Sequence, residues 1–167
     1  MKRDRREAET GFLYSIANSG QYDRLITYLG SNEPVAVREK AADLLTQSLE
    51  SLVEQDTEPI IAELYTAALT ESDESVRADI IAVLIYLAET PIDNLVRRIE
   101  SREYPTPTGS PPPLLYVEWL DSRHVELRLV AVAGLGRVGT KQVVAKLIVA
   151  CRDDDKRIQI RALEELG

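Results

Sequence analysis

The 167-residue chain contains one cysteine and one histidine, which limits the chemistry open to it. A disulfide framework needs paired cysteines, and a zinc site built from thiolate and imidazole ligands needs about four such groups. We therefore expect neither. Cys151 lies in an apolar helical segment, so we predict a thiol in the core. His124 stands in a turn ahead of a helix, where we expect a capping or solvent-exposed role.

Long apolar runs are also missing. No segment approaches the ~20 apolar residues of a membrane span, and the basic amino-terminal residues lead into no apolar stretch, so we predict a cytoplasmic protein with no membrane association. The acids at 153–155 lack the glycine and the oxygen donors of a calcium loop. No glycine-rich phosphate loop occurs. The sequence therefore predicts a protein that is not an enzyme and carries no cofactor or metal.

Positive charge is scarce, with 20 basic against 28 acidic residues and a net charge of −8. A field of this sign repels phosphate backbones, which argues against a nucleic-acid partner. Only five of the basic residues are lysine. An acidic, lysine-poor composition resembles that of salt-adapted archaeal proteins, and we take a halophilic archaeon as a hypothesis for the source.

What the chain does contain is one pattern repeated four times. An acid-rich turn, an aliphatic–Arg pair and an amphipathic helix occur at Arg38, Arg77 and Arg128, and less clearly at Gln159. The steps between these positions are 39, 51 and 31 residues, so the first two intervals carry insertions. Repeats of this period are typical of stacked helix pairs, and the sequence predicts an all-α fold.

Boundary signals divide this single repeat domain into six segments. Thr90-Pro91 predicts an additional helix, because an N-cap is followed by proline at the first helical position. Five of the eight prolines fall between residues 104 and 113, where we expect an extended, polyproline-like excursion. The predicted segments are a capping helix at 7–20, repeat 1 at 21–54, repeat 2 at 56–89, an extra helix and Pro-rich loop at 90–112, repeat 3 at 113–139 and repeat 4 at 140–167.

The best copy, Leu-Arg-Leu-Val-Ala-Val-Ala-Gly-Leu-Gly at 127–136, resembles HEAT-type repeats, and in particular the short HEAT-like repeats named after phycobilisome lyases. The resemblance implies a right-handed α-solenoid of about four helix pairs with an amino-terminal capping helix and a Pro-rich insert. It also implies that the repeated arginines Arg38, Arg77 and Arg128 have a structural role, bonding the turn of an adjacent repeat through a nearby acid. Gln159 in the Arg slot departs from the pattern.

Such repeats occur in scaffolds, in adaptors and in a few lyases. We predict a non-enzymatic scaffold or adaptor that binds a protein partner. The alternatives are a bilin-lyase-like enzyme or chromophore chaperone, and a HEAT-like nucleic-acid-binding protein. Two surfaces are candidates, because interfaces favour Arg and aromatic groups and solenoids bind along the face of their second helices. The insert supplies Arg97, Arg98, Arg102, Tyr104, Tyr116 and Trp119; the second helices supply Glu39, Asp43, Asp79 and Glu126.

The carboxyl-terminal repeat is unusually apolar for the end of a stack. Terminal repeats normally present a polar outer face. Either its apolar side chains all face inward or this end docks something, and we predict weak self-association or partner binding through it. The side chains concerned are Ile158, Ile160, Leu163 and Leu166.

The charge balance generates a prediction about salt. Self-repulsion of a surface with a net charge of −8 destabilises the compact state, and added ions screen that repulsion. We expect the melting temperature to rise between low and molar KCl when it is followed by circular dichroism. A melting temperature independent of KCl would contradict salt adaptation.

Overall fold

The computed structural model describes the backbone of residues 2–30, 32–102 and 105–167, and within these ranges the side chains from residue 10 onward. The described residues form helices and turns with no strand, which confirms the all-α prediction. The helices are α1 (Lys2–Asn18), α2 (Tyr22–Thr27), α3 (Val35–Gln47), α4 (Leu49–Val53), α5 (Thr57–Thr70), α6 (Glu74–Leu87), α7 (Pro91–Ser101), α8 (Pro112–Leu120), α9 (Val125–Val138), α10 (Lys141–Ala150) and α11 (Lys156–Leu166).

The chain divides into two compact units, Met1–Glu89 and Thr90–Gly167. Unit 1 contains α1 to α6, and unit 2 contains α7 to α11. The predicted extra helix and Pro-rich loop both belong to unit 2. Each unit has its own apolar core.

In unit 1 the second helices of the two repeats pack on each other. Helix α6 contacts α3, α4 and α5, and α3 contacts α1 and α2. Helix α6 begins where the Asp73 carboxylate accepts hydrogen bonds from the N–H groups of Ser75 and Val76, as an N-cap does. Its buried residues recur at steps of three and four, which is the spacing of one helix face. They include Val76, Ile80, Val83 and Leu84.

The second helix of repeat 1 is interrupted, which the apolar spacing did not predict. That spacing indicated one helix through Leu52, but α3 ends at Gln47 and α4 follows. The N–H of Ser48 donates to the carbonyl of Leu45 at 3.1 Å, a three-residue step that tightens the last turn of α3. Leu52 is nevertheless fully buried. The core position was therefore predicted correctly although α3 ends before it.

Unit 2 is built around α9. Helices α7, α8, α10 and α11 all contact it, and every residue from Leu127 to Leu135 is buried. A helix enclosed on all sides is expected to be apolar around its whole circumference, and Arg128 is the one charged residue of this buried stretch. It ends at Gly139, whose φ of 64° is the left-handed conformation expected of a helix-terminating glycine.

The extra helix α7 is a packed layer of unit 2. Its Leu95, Val96 and Ile99 are buried, and two ion pairs hold it to other helices of the unit. Glu100 accepts from Arg137 of α9 at 2.9 Å, and Asp93 accepts from Arg161 of α11 at 2.5 Å. The helix therefore contributes to the core of unit 2 as well as to the insert.

The Pro-rich loop is extended at Pro111, whose φ and ψ are −61° and 151°, but it is not extended throughout. The N–H of Gly109 donates to the carbonyl of Thr106 at 2.9 Å and closes a turn. Gly109 has a φ of 74°, a conformation that glycine adopts without steric cost. The Ser110 hydroxyl then donates to Glu118 of α8 at 2.8 Å and ties the loop to the helix that follows it.

Two glycines of α9 allow its neighbours to approach closely. A Cβ at Gly134 would overlap the ring of Tyr116 from α8, and a Cβ at Gly136 would overlap the carboxylate of Glu165 from α11. An aromatic ring enclosed in a core has little room to move, because interiors are close-packed. Gly134 therefore sets the distance between α8 and α9.

We expect Gly134→Ala to destabilise the protein by about 1–3 kcal/mol, because overpacking displaces Tyr116. The same substitution at Gly11, inside α1, meets no neighbouring atom within 4 Å. Gly11→Ala is the matched control and should stabilise by about 0.5–1 kcal/mol through helix propensity. Chemical denaturation of both variants measures the two effects. A neutral Gly134→Ala would contradict the close approach of Tyr116.

Candidate functional site

A buried arginine–carboxylate pair joins the two repeats of unit 1. Arg38 of α3 donates through Nε and Nη2 to the two carboxylate oxygens of Glu71, each at 2.9 Å. Its third nitrogen donates to the carbonyl of Glu33 at 2.6 Å. Glu71 lies in the turn between α5 and α6, and its side chain is 1% exposed. One guanidinium therefore ties the turn of its own repeat to the turn of the next.

Arg77 completes this network from α6. Its Nε and Nη2 donate to the main-chain carbonyl of Glu71 at 3.2 and 2.7 Å, while a carboxylate oxygen of Glu71 accepts from the N–H of Asp73 at 2.7 Å. Burial lowers the pKa of Arg77, and the charges of Glu71, Glu74 and Asp73 oppose that shift. The turn before α6 is thus held by two arginines from two helices.

Unit 2 contains the same arrangement. Arg128 of α9 donates through Nε and Nη2 to the two carboxylate oxygens of Asp153, each at 2.9 Å, and through Nη1 to the carbonyl of Ser122 at 2.9 Å. Asp153 lies between α10 and α11 and also accepts from the N–H of Asp155. Arg128 therefore corresponds to Arg38, and Asp153 to Glu71. Arg128 makes one further contact, from Nη2 to the carboxylate of Asp154 at 3.0 Å.

The departure from the pattern at Gln159 has a counterpart in the structure. Gln159 stands in the Arg slot of α11, and its Nε2 donates to the carbonyl of Asp153 at 2.5 Å, as Arg77 does to Glu71. In repeat 3 the carboxylate slot holds Ser122, whose hydroxyl accepts from the N–H of His124 at 3.0 Å. The Ser122 hydroxyl accepts a hydrogen bond from a main-chain N–H two residues later, as the carboxylates of Glu71 and Asp153 do, but it carries no charge.

Asp153 is held in its ionised form. Burial alone would raise the pKa of its carboxyl, but hydrogen bonds from Arg128 and from the N–H of Asp155, with the charge of Arg128, outweigh burial and lower it below the usual 3.8. The hydrogen bond from Asp153 likewise raises the pKa of Arg128. The pair is therefore charged at any pH near neutrality.

The predicted insert surface is only partly exposed. Arg97 and Arg102 are exposed and Arg98 is half-buried, whereas Tyr104 lies outside the described residues. Arg97 hydrogen-bonds Asn94 on its own helix. Arg102 lines a shallow groove of about 320 Å³ together with loop residues that include Pro105 and Pro111. The basic part of this surface is accessible.

The two aromatic members of that surface are in the core. Tyr116 is 0% exposed and Trp119 is 5% exposed, because α8 turns both rings toward the interior of unit 2. The Tyr116 hydroxyl is buried without a hydrogen-bond partner among the described residues, and burial raises the pKa of this phenol. A direct contact between either ring and a partner has no support in this structure.

We call the four acidic residues predicted on the second helices the acidic strip, and they are divided between the two units. Glu39, Asp43 and Asp79 lie in unit 1, and Glu126 lies in unit 2. Glu39 is exposed and the other three are half-buried. Asp43 accepts from Lys40 Nζ and from Gln47 Nε2, each at 2.7 Å. The bond from Lys40 lowers the pKa of Asp43 in spite of the opposing effect of burial. The Asp43 carboxylate therefore already has hydrogen-bond partners within α3.

The chemically versatile residues occupy helix ends. His124 precedes α9 and is half-buried; Cys151, expected in the core, is also only half-buried, because it caps α10. The described residues contain no cluster of three or more His, Cys, Asp or Glu side chains placed to hold a metal ion. Among the described helices, none combines the length and the hydropathy of a transmembrane segment.

The apolar residues of the last helix do not all face inward. Ile158 is buried, whereas Ile160, Leu163 and Leu166 are exposed. The corresponding residues of α9, one repeat earlier, are Leu129, Val132 and Leu135, and all three are buried. The outer face of α11 therefore has the apolar pattern of a helix that another helix covers.

A second exposed apolar stripe lies on α10, and our reading of the sequence missed it. Val144, Ile148 and Val149 are 40%, 50% and 70% exposed, whereas Val143 and Leu147 face the core. The signal was available in the sequence: α10 is apolar on more than one face, so a single neighbouring helix cannot cover all of it.

Comparison with known proteins identifies a curated relative of the chain. The chain is 30% identical over 156 residues to a HEAT repeat-containing taxis protein of Halobacterium salinarum. The alignment covers 93% of this chain and 36% of that protein, so the chain spans about a third of the length of the curated relative it matches. No family model and no solved structure matches the chain. The relative confirms the resemblance to HEAT-type repeats, and its organism agrees with the salt adaptation inferred from composition.

The buried pair of unit 1 generates a stability prediction. We expect Arg38→Met to destabilise the protein by about 3–5 kcal/mol, because it leaves the Glu71 charge buried without its partner. The double variant Arg38→Met/Glu71→Gln should recover most of that loss, since the glutamine is neutral and still accepts from Asp73. Urea denaturation measures both. A double variant no more stable than the single one would contradict a penalty that arises from an unpaired charge.

Asp153 generates a pH dependence. Its pKa is lower in the folded chain than the usual 3.8, so its stabilising contribution is fully present above about pH 4 and is lost as the pH falls through the folded value. We expect Arg128→Met to be less stable than the unmodified chain at pH 7, with the difference shrinking toward pH 3. Thermal melts across that range measure it. A difference independent of pH would contradict the assignment.

Proposed function

We propose that this chain, whose repeats resemble HEAT repeats, is a non-enzymatic scaffold or adaptor that binds another protein through its helix faces or its insert loop. HEAT repeats generally mediate protein interactions. The observation that supports the proposal best is that the buried charged side chains and the exposed apolar side chains have different roles. The buried charges of both networks are engaged in joining repeats, while large apolar side chains stand exposed on α10 and α11. Exposed apolar stripes of this kind are typical of interaction surfaces.

The grooves of the units support binding in preference to catalysis. The groove of about 390 Å³ in unit 1 is lined mainly by apolar and hydroxyl side chains of α2 and α5, with Glu63 as its titratable group. A catalytic site normally brings several titratable groups together. In unit 2, a chromophore site would need accessible aromatic rings, and Tyr116 and Trp119 are buried.

The relative supports a narrower proposal about context. That protein is described as a HEAT repeat-containing taxis protein. We propose that this chain also acts in taxis and that its partner is a protein of the taxis apparatus. Deletion of its gene in the native host should impair directed movement on semi-solid medium while leaving growth unchanged. Normal taxis after deletion would count against this context and leave the scaffold proposal standing.

The scaffold proposal itself is tested by affinity capture. We expect tagged chain, at the ionic strength of its host, to retain a protein in stoichiometric amount, identified by mass spectrometry. Replacing residues 105–111 with Gly and Ser tests the insert loop. Capture of pigment or nucleic acid without a protein would overturn the proposal.

A pair of charge reversals makes that experiment specific. Arg97 and Arg24 are both exposed. Each donates a hydrogen bond to a side chain three residues earlier: Arg97 to Asn94 of α7, and Arg24 to Gln21, which directly precedes α2. We expect Arg97→Glu to reduce capture if the insert is the contact surface and Arg24→Glu, the matched control, to leave it unchanged. Equal effects of the two reversals would remove the insert from the candidates.

A further inference from the structure

Helix α10 has two apolar faces, and only one of them is covered. Val143, Leu147 and Ala150 point into unit 2, and a second stripe, Val144, Ile148 and Val149, points outward. The outward stripe runs along the helix at steps of four and one, so it forms a continuous band. A continuous exposed apolar band on a helix is the form of surface that a second helix covers.

The outward band is framed by positive charge. Lys141 and Lys146 belong to α10 and Arg152 follows it, and all three are exposed. Within the part of the chain that the structure describes, none of them forms an ion pair, and α10 contains no acid. The acids that come next in sequence are engaged elsewhere, since Asp153 and Asp154 pair with Arg128 and Asp155 pairs with Arg157. This local excess of positive charge stands out in a chain whose net charge is −8.

The amino-terminal end of α10 adds to this local excess of positive charge. The positive end of the helix dipole lies at Lys141, the first turn contains no acid, and the Thr140 side chain makes no capping hydrogen bond. A cation at this end opposes the dipole, whereas an anion there is favourable. A negative group supplied from outside would therefore stabilise α10 as well as pair with Lys141.

The other end of the band opens into a groove. Ile148, Val149 and Arg152 line a recess of about 320 Å³ together with Leu120 and Asp121 from the end of α8. Its lining is mostly apolar and includes three charged residues, Arg152, Asp121 and Asp153. Of the two acids, Asp153 is paired with Arg128. A recess of this size accepts an aliphatic or aromatic side chain from a helix lying along α10.

We propose that the outward face of α10 binds an acidic amphipathic helix of a partner protein. The apolar side of that helix covers Val144, Ile148 and Val149, and its carboxylates pair with Lys141, Lys146 and Arg152. This inference rests on the proposed scaffold function and names the chemistry of one partner. A second copy of this chain is a poor occupant, because a symmetric contact would set the cations of one α10 against those of the other. An anionic membrane is also disfavoured, because the rest of the chain repels it.

The test uses the 167-residue chain labelled with ¹⁵N and two designed helical peptides of about 18 residues with the same leucine face. One peptide carries Glu at every polar position and its twin carries Lys. At the lowest KCl concentration at which the chain is folded, the acidic peptide should shift the amide resonances of Val144, Ile148 and Val149, and added KCl should weaken its binding. The basic twin should leave these resonances unchanged.

Three variants separate binding from folding. Lys141→Glu and Lys146→Glu should each weaken binding of the acidic peptide about threefold to tenfold. Lys141→Glu should at the same time keep or raise the melting temperature, because it places an acid in the first turn of α10. Ile148→Ser should weaken binding with little change in stability, because half of that side chain is already exposed. A loss of binding that occurs only together with unfolding would overturn the proposal.

Other outcomes also overturn it. Equal binding of the acidic and the basic peptide would contradict the proposed pairing of carboxylates with Lys141, Lys146 and Arg152. Resonances of α10 that shift with the concentration of the chain alone would identify a second copy as the occupant, and binding to phosphatidylglycerol vesicles that Lys146→Glu abolishes would identify a membrane. Peptide shifts confined to the insert or to the acidic strip would refute the α10 site and leave the scaffold proposal intact, which capture from lysate tests separately.

Discussion

A two-armed bond between an arginine on a second helix and a carboxylate in the following turn holds each unit together. In unit 1 it links Arg38 to Glu71, and in unit 2 it links Arg128 to Asp153, with all four distances at 2.9 Å. The partners are 33 and 25 residues apart in sequence, so the bond connects helix pairs rather than neighbours in one helix. Arginine suits this position because its planar fork satisfies both carboxylate oxygens and retains a third donor for a carbonyl.

The pairing explains why the interior tolerates charge at all. Among the residues whose side chains the structure describes, four buried ones are polar or charged, namely Arg38, Glu71, Arg77 and Arg128, and all four belong to the two networks. A buried charge without a partner is costly, whereas a paired and fully hydrogen-bonded one defines how the helices are registered. The turns between helices are therefore fixed, and the outward faces of the helices are the parts that remain available for a partner.

The packing around α9 shows how an insertion can become part of a core. Helix α7 lies in an interval that the repeat pattern did not require, yet its apolar side is buried against α9 and its acids pair with Arg137 and Arg161. Glu165 lies over Gly136 and also accepts from Arg161 at 2.8 Å, so one glycine admits the carboxylate that helps to position the arginine. The outward side of α10 has no such neighbour within its unit, and its apolar and basic residues remain exposed there.

Local patterns in the sequence determined the helices, the repeat spacing and the positions of the paired arginines. The step of three and four residues, the proline at the start of α7 and the glycine that ends α9 act within one or two turns of chain, so they can be read without the fold. Even Gln159 was aligned correctly, because its neighbours Ala162 and Leu166 match those of Arg128. Tertiary structure alone decided which carboxylates the arginines meet, that Tyr116 and Trp119 are buried, that α3 stops before Leu52, and that Val144, Ile148 and Val149 are uncovered. An apolar face in the sequence indicates that a helix packs against another element. Whether a neighbouring helix of the same chain covers that face depends on helices tens of residues away, and only the packing of those helices determines it.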